Sequence, residues 1–158
     1  MTTGDNYLLA DHPFLADLPQ HWLQRLSVQA HPVVYQGGRR LFSERRPAER
    51  FWLLRSGRVA LDLHVAGRGY VVIEWLDAGT VLGWSWLFPP FRWQFGAIAA
   101  EQTHAIEFSA AGVRRLVAED AELGRELTTR CMSVVVDRLQ ASRTRLLDLY
   151  EYPAVTGP

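Results

Sequence analysis

Between residues 31 and 108 the hydrophobic positions arrive in short alternating runs separated by turn residues, the period-two pattern of half-buried strands. The runs fall at 32–35, 39–42, 51–55, 58–65, 70–76, 80–82, 93–100 and 103–108. Gly37-Gly38, Ser56-Gly57, Ala66-Gly67-Arg68-Gly69 and Asp77-Ala78-Gly79 divide them. Short strands at such even spacing predict a jelly-roll barrel. On either side the period lengthens to that of a helix. Leu15, Leu18, Trp22 and Leu26 recur at spacings of three and four, with Pro19 at the start, and predict a short helix over one end of the barrel. After Phe108, Ser109 predicts an N-cap for a helix through Ala118. Asp120 then predicts the cap of a long helix whose first turns carry Glu122 and Glu126 at the positive end of its dipole. The expected fold class is mainly β with flanking helices: a jelly-roll β-barrel, an N-terminal helix and a long C-terminal helix. The chain is expected to be a single domain over 1–158, with an N-terminal helical segment at 1–30, the barrel at 31–108, the C-terminal helices at 109–150 and a tail at 151–158.

Along the last helix Val135, Leu139, Ser142, Leu146 and Leu149 alternate spacings of four and three, the seam of a coiled-coil contact. That stripe runs beyond the length needed to cover one short sheet. It predicts a homodimer through the C-terminal helix.

Composition narrows the chemistry. Seventeen basic and seventeen acidic residues cancel, so no global field draws the chain to nucleic acid or to an anionic membrane. Every basic residue is arginine, which removes lysine Schiff-base chemistry and a Walker-type phosphate loop. The single cysteine, Cys131, excludes an internal disulfide and any cysteine-held cluster. No apolar run reaches transmembrane length, and the polar start MTTGDN is unlike a secretory signal, so a cytoplasmic protein is expected.

The densest chemistry lies in residues 79–100, GTVLGWSWLFPPFRWQFGAIAA: a strand, a tryptophan-rich turn, a double-proline loop and a second strand. With the flanks FWLLRSGRVALDL and AIAAEQTHAIEFSAAGVRRL, and with Gly38, Gly57, Gly79 and Gly83 at the turns, the chain resembles the cyclic-nucleotide-binding domain of the catabolite-activator and fumarate-nitrate-reductase regulator superfamily. The resemblance covers roughly residues 15–150. It implies a regulatory, non-catalytic domain whose ligand loop carries Gly-Glu, then Arg-Ser/Thr-Ala, the Glu for the ribose 2′-hydroxyl and the Arg for the cyclic phosphate. It also implies that the last helix builds the dimer and closes over the ligand. Matched without a gap, Gly83 takes the glycine position, Trp84 the Glu position, and Gln94, Phe95 and Gly96 the Arg, Ser/Thr and Ala positions. Both ligand-defining charges are replaced.

A neutral glutamine cannot give a phosphate the two charge-assisted bonds of an arginine fork. Removing one partner of a buried charge pair costs about 3–5 kcal/mol, which takes a micromolar site to roughly millimolar. Two readings follow for Gly83, Trp84, Ser85, Trp86, Leu87, Arg92, Gln94 and Phe95. In the first they form a rewritten binding site for a cyclic nucleotide or another small ligand. Arg92, two residues from Gln94 and on the same strand face, then supplies the cation, and Ser85 and Gln94 orient the ligand, with Trp86 or Trp93 as a stacking surface. In the second the aromatic rings fill the pocket themselves, and the domain is a structural or protein-interaction module.

Other classes lack their residues. Family transcription factors follow this domain with a helix-turn-helix, and only EYPAVTGP follows the long helix, so DNA binding by that route is not expected. Arg39, Arg40, Arg45, Arg46, Arg50, Arg55 and Arg58, opposed by Glu44 and Glu49, form the one locally basic region, and a solvated strand face is its expected role. The family favours glycine where this chain has Arg45. The five histidines offer no His-x-His metal motif, and His64 and Glu74 on neighbouring strands make too few ligands even if they face each other. Gly83-Trp84-Ser85-Trp86-Leu87 lacks the second glycine of a nucleophile elbow. No catalytic residue, no metal and no membrane contact are expected.

Overall fold

The computed structural model describes residues 8–150; the polar start MTTGDN and the tail EYPAVTGP lie outside them. Eight strands form two antiparallel four-stranded sheets. One sheet holds β1 (Ala30–Tyr35), β8 (Thr103–Ser109), β3 (Arg50–Ser56) and β6 (Val81–Leu82), in that order. The other holds β2 (Arg40–Phe42), β7 (Gly96–Ala99), β4 (Arg58–Val65) and β5 (Gly69–Asp77). Neighbours such as β1 and β8 are far apart in sequence, as a jelly roll requires. A 3-10 turn (Pro13–Leu15) and helix α1 (Gln20–Ser27) precede the sheets; α2 (Ala110–Glu119) and the 29-residue α3 (Ala121–Leu149) follow them.

The strand β3, RFWLLRS, is buried on both faces because it lies between two apolar layers. Phe51 and Leu53 meet Phe14, Leu15, Leu26 and Leu127 of the helical elements. Trp52 turns the other way, against Phe42 and Trp93. The β3–β4 turn depends on Gly57, at φ 86°, where a Cβ would stand 2.4 Å from the carbonyl oxygen of Gln102.

Two expectations change. The first apolar stripe is not one helix: Asp17 has φ 63° and separates the 3-10 turn from α1, although Leu15, Leu18 and Leu26 are all buried. The strand expected at 93–100 starts only at Gly96. Trp93 instead pairs with the turn at 45–46, accepting from Arg45 N–H at 2.7 Å and donating to the Arg46 carbonyl at 2.9 Å. A bulge between Leu61 and Asp62 also sets the β4–β5 register, so that His64 stands opposite Tyr70 and Glu74 opposite Leu61; His64 and Glu74 do not face each other.

The helix caps follow the sequence. Ser109 Oγ accepts from Gly112 N–H at 3.2 Å, and Asp120 Oδ1 from Leu123 N–H at 3.1 Å. That backbone bond, with Trp22 Nε1–H and Arg25 beside it, holds the Asp120 carboxyl below its ordinary pKa. On α3, Leu123, Leu127, Cys131 and Arg138 form the buried stripe. From Leu139 to Tyr150 every residue but Ser142 is exposed, so the final turns of α3 extend past the barrel. Burial pushes the Cys131 thiol up to about 12 and keeps it inert.

The segment before the barrel is pinned by His12, which is buried. Its Nε2 bonds the Leu54 carbonyl at 2.9 Å, and its Nδ1 accepts from Phe14 N–H at 3.2 Å, an arrangement that needs the neutral ring. Burial, with Arg55 nearby, lowers its pKa from 6.5 despite the opposing effect of the Leu54 bond. The unfolded chain therefore takes up the proton first as pH falls. Stability present above about pH 6.5 is lost as pH drops through the lower folded pKa. Urea unfolding across pH 8 to 5 is expected to show this loss, and His12→Asn should flatten its slope; an equal slope in the variant assigns the effect elsewhere.

Candidate functional site

After β6 the chain turns at Gly83, enters a one-turn 3-10 segment (Ser85–Leu87), loops through the prolines and returns into β7. Gly83 has φ 92°, and a Cβ there would lie 2.7 Å from Cη2 of Trp93. The indole of Trp93 therefore rests directly on the glycine backbone. It stacks on Phe42 with centroids 3.9 Å apart and lies 6.1 Å from Trp52. Phe42 in turn meets Phe95 at 6.1 Å, and Phe95 meets Trp84 edge-on at 5.5 Å. Such pairs add about 0.5–1.5 kcal/mol each beyond the area they bury. Five rings thus make a continuous aromatic filling between the sheets.

The polar candidates lie elsewhere. Residues 92–95 alternate: Trp93 and Phe95 are buried, whereas Arg92 and Gln94 are exposed. The Arg92 guanidinium donates to the Arg45 carbonyl at 2.8 Å, and Gln94 reaches only the Arg92 carbonyl at 3.4 Å. Trp86 is buried against Phe51 on the helix side, with ring centroids 4.6 Å apart. Its carbonyl accepts from Arg114 Nη1 at 2.8 Å, and the same guanidinium covers the Phe91 ring at 4.9 Å, so α2 clamps the loop from outside. Leu87 is half-buried, packed against the core. Ser85 is buried, and its Oγ has no hydrogen-bond partner among the described residues.

One residue was not anticipated from sequence. Arg138 of α3 is only 8 % exposed and reaches the start of the loop. Its guanidinium lies 4.6 Å over the Trp84 ring, and Nη2 donates to the Val81 carbonyl and to Thr80 Oγ1. Burial pulls its pKa down to about 10, against the favourable field of Glu74. No carboxylate lies within salt-bridge distance among the described residues, and Nη1 has no partner. The sequence signal is that Arg138 continues the buried stripe Leu123, Leu127, Cys131 at helical spacing.

The α3 seam is arranged as a surface. Val135 and Ser142 are half-buried, and Leu139, Leu146 and Leu149 are exposed, Leu149 at 77 %. Among the described residues no helix is long and apolar enough to cross a membrane, and no group of three or more His, Cys, Asp or Glu side chains converges as a metal site.

The fold recurs in solved structures. A candidate cyclic nucleotide-binding protein from Geobacter metallireducens GS-15 is similar at 22 % identity and TM-score 0.78, over 88 % of this chain and 99 % of that one. A cyclic nucleotide-binding domain from Methylobacillus flagellatus KT matches at 17 % identity and TM-score 0.77, over 96 % and 89 %. The catabolite activator protein of Thermus thermophilus matches at 20 % identity and TM-score 0.67, over 87 % of this chain and 62 % of its own. A search of curated proteins gave no match. The fold is that of a regulatory sensor domain. The cyclic nucleotide-binding domain profile matches residues 32–120, more than half of the sequence, and with the two sheets and the long C-terminal helix in place the chain belongs to that family.

Proposed function

We propose that this chain is a non-catalytic, cytoplasmic regulatory domain that takes no 3′,5′-cyclic nucleotide in the family's manner and works as a homodimer through α3. The observation that carries the reading is the Trp93 indole, laid on Gly83 and stacked on Phe42, so that the chain's own rings fill the interior beside the loop. Arg92 and Gln94 stand on the exposed face, so neither offers a cation to that interior. The closing helix is already docked by Arg138 on Trp84, a contact internal to the protein. Undocking α3 then changes what its exposed seam presents to a second copy.

Calorimetric titration with cyclic AMP and cyclic GMP is expected to show no saturable binding below about 1 mM, the affinity left when an arginine fork is lost. Sedimentation is expected to give a dimer that Leu139→Glu with Leu146→Glu converts to monomer. Micromolar nucleotide binding, or a monomeric parent, rejects the corresponding half of the proposal.

A second reading, ligand sensing within the loop, is favoured by three buried polar atoms without partners among the described residues, Ser85 Oγ, Trp86 Nε1 and Arg138 Nη1. A small anion reaching Arg138 would replace a missing carboxylate and bias the helix directly. The readings part at Arg138→Met. In the first the variant keeps whatever anion-induced thermal shift the parent shows, whereas the second requires it to lose that shift.

A further inference from the structure

The arginine-rich stretch between β2 and β3 does not lie on a flat strand face. We propose that it builds an oxyanion site at the barrel mouth, which takes a small phosphorylated ligand between Arg46 and Arg50. The cavity there encloses about 340 Å³, within the roughly 300–1,000 Å³ of small-ligand pockets. Arg40, Arg46, Arg50 and Ser43 supply its polar wall, and the buried Trp52 and Trp93 contribute to its lining.

Its own lining carries three arginines and one acid. Arg40 is committed to Asp62 through both terminal nitrogens, at 3.0 and 2.7 Å. Arg50 approaches Oε1 of Glu107 at a long 3.4 Å, while the other oxygen accepts from Tyr35 Oη at 2.8 Å and Trp52 Nε1 at 2.9 Å. The Arg50 side chain is 58 % exposed and able to swing toward a ligand. Arg46 has no ion pair among the described residues, and Glu49 is the one acid in the lining. Beside the cavity Arg92 bonds the Arg45 carbonyl, and neither guanidinium meets a carboxylate among the described residues. Arg45 holds φ 67°, where glycine is favoured, so the turn keeps an arginine at a conformational cost. In a chain of zero formal net charge, Arg45, Arg46 and Arg92 at this turn leave a small local positive excess over Glu44 and Glu49.

Guanidinium groups stay charged and match phosphate oxygens with forked donors, and a low-dielectric aromatic wall concentrates their field. The concave shape favours a compact anion over a polymer. Trp52 and Trp93 are 2 % and 3 % exposed, so they offer no platform on which successive bases could stack. The site shares only the buried Trp93 with the loop after Gly83 and nothing with the dimer seam, and its arginines are tested apart from both.

The test is titration of the full chain with pyrophosphate at low ionic strength, by calorimetry with tryptophan emission recorded in parallel. One saturable site per chain is expected, weakened at least about tenfold by Arg46→Ala and by Arg50→Ala, as the loss of a charge-assisted bond implies. Arg68→Ala, in the β4–β5 turn, should bind as the parent does. Arg46 makes no ion pair that its removal would break, and circular dichroism checks the fold of each variant. Unchanged affinity in both cavity variants, an equal loss in Arg68→Ala, or binding of oligothymidylate without binding of pyrophosphate overturns the site.

Discussion

Trp93→Ala is expected to destabilise the domain by about 3–5 kcal/mol, the range for removing a large buried aromatic ring. Most domains have only about 5–15 kcal/mol in total, so the variant should sit near the edge of folding. The expectation comes from position. The ring is 3 % exposed, stacks on Phe42, approaches Trp52 and covers Gly83, so its loss removes contacts to three elements at once. The hole left behind borders the Phe42 and Trp52 rings, apolar surface that takes an apolar guest, and meets the arginine-lined cavity between β2 and β3 on its other side. Added indole should therefore restore part of the urea midpoint in the variant and leave the parent unchanged. Cyclic AMP should not do so, because emptying the interior does not bring Arg92 inward from the Arg45 carbonyl. A variant within about 1 kcal/mol of the parent would remove the ring from the core, and with it the closed-pocket reading.

The turn glycines and strand runs made the barrel legible in the sequence, because Gly38, Gly57, Gly79 and Gly83 all adopt positive φ and each predicted run contains a strand. Side-chain direction in the loop was legible only as parity. Alternation puts Arg92 with Gln94 and Trp93 with Phe95, but does not say which pair faces inward; the larger apolar pair does. The shortened β7 was not legible, because Trp93 exchanges its backbone bonds with Arg45 and Arg46, a partner distant in sequence. Arg138 escaped for a similar reason. Its spacing continues the buried stripe of α3, but a guanidinium on such a stripe reads as the end of the apolar face until Trp84 is seen beneath it.

Gly83→Ala is expected to cost about 2–5 kcal/mol: about 1–2 for an L-residue held at positive φ, and about 1–3 for forcing a methyl into a filled space. The new Cβ would lie 2.7 and 2.8 Å from two atoms of the Trp93 ring, which stacking on Phe42 prevents from retreating. The two parts can be separated. In a Trp93→Ala background the steric part has no partner, and the same substitution should cost only about 1–2 kcal/mol. Urea denaturation of the four proteins closes the cycle, with an expected coupling of about 1–3 kcal/mol. An additive cycle would mean that the glycine and the indole do not compete for one space. Coupling of the expected size gives the glycine a physical role independent of any ligand: this chain keeps the turn because its own tryptophan occupies the room a side chain would need.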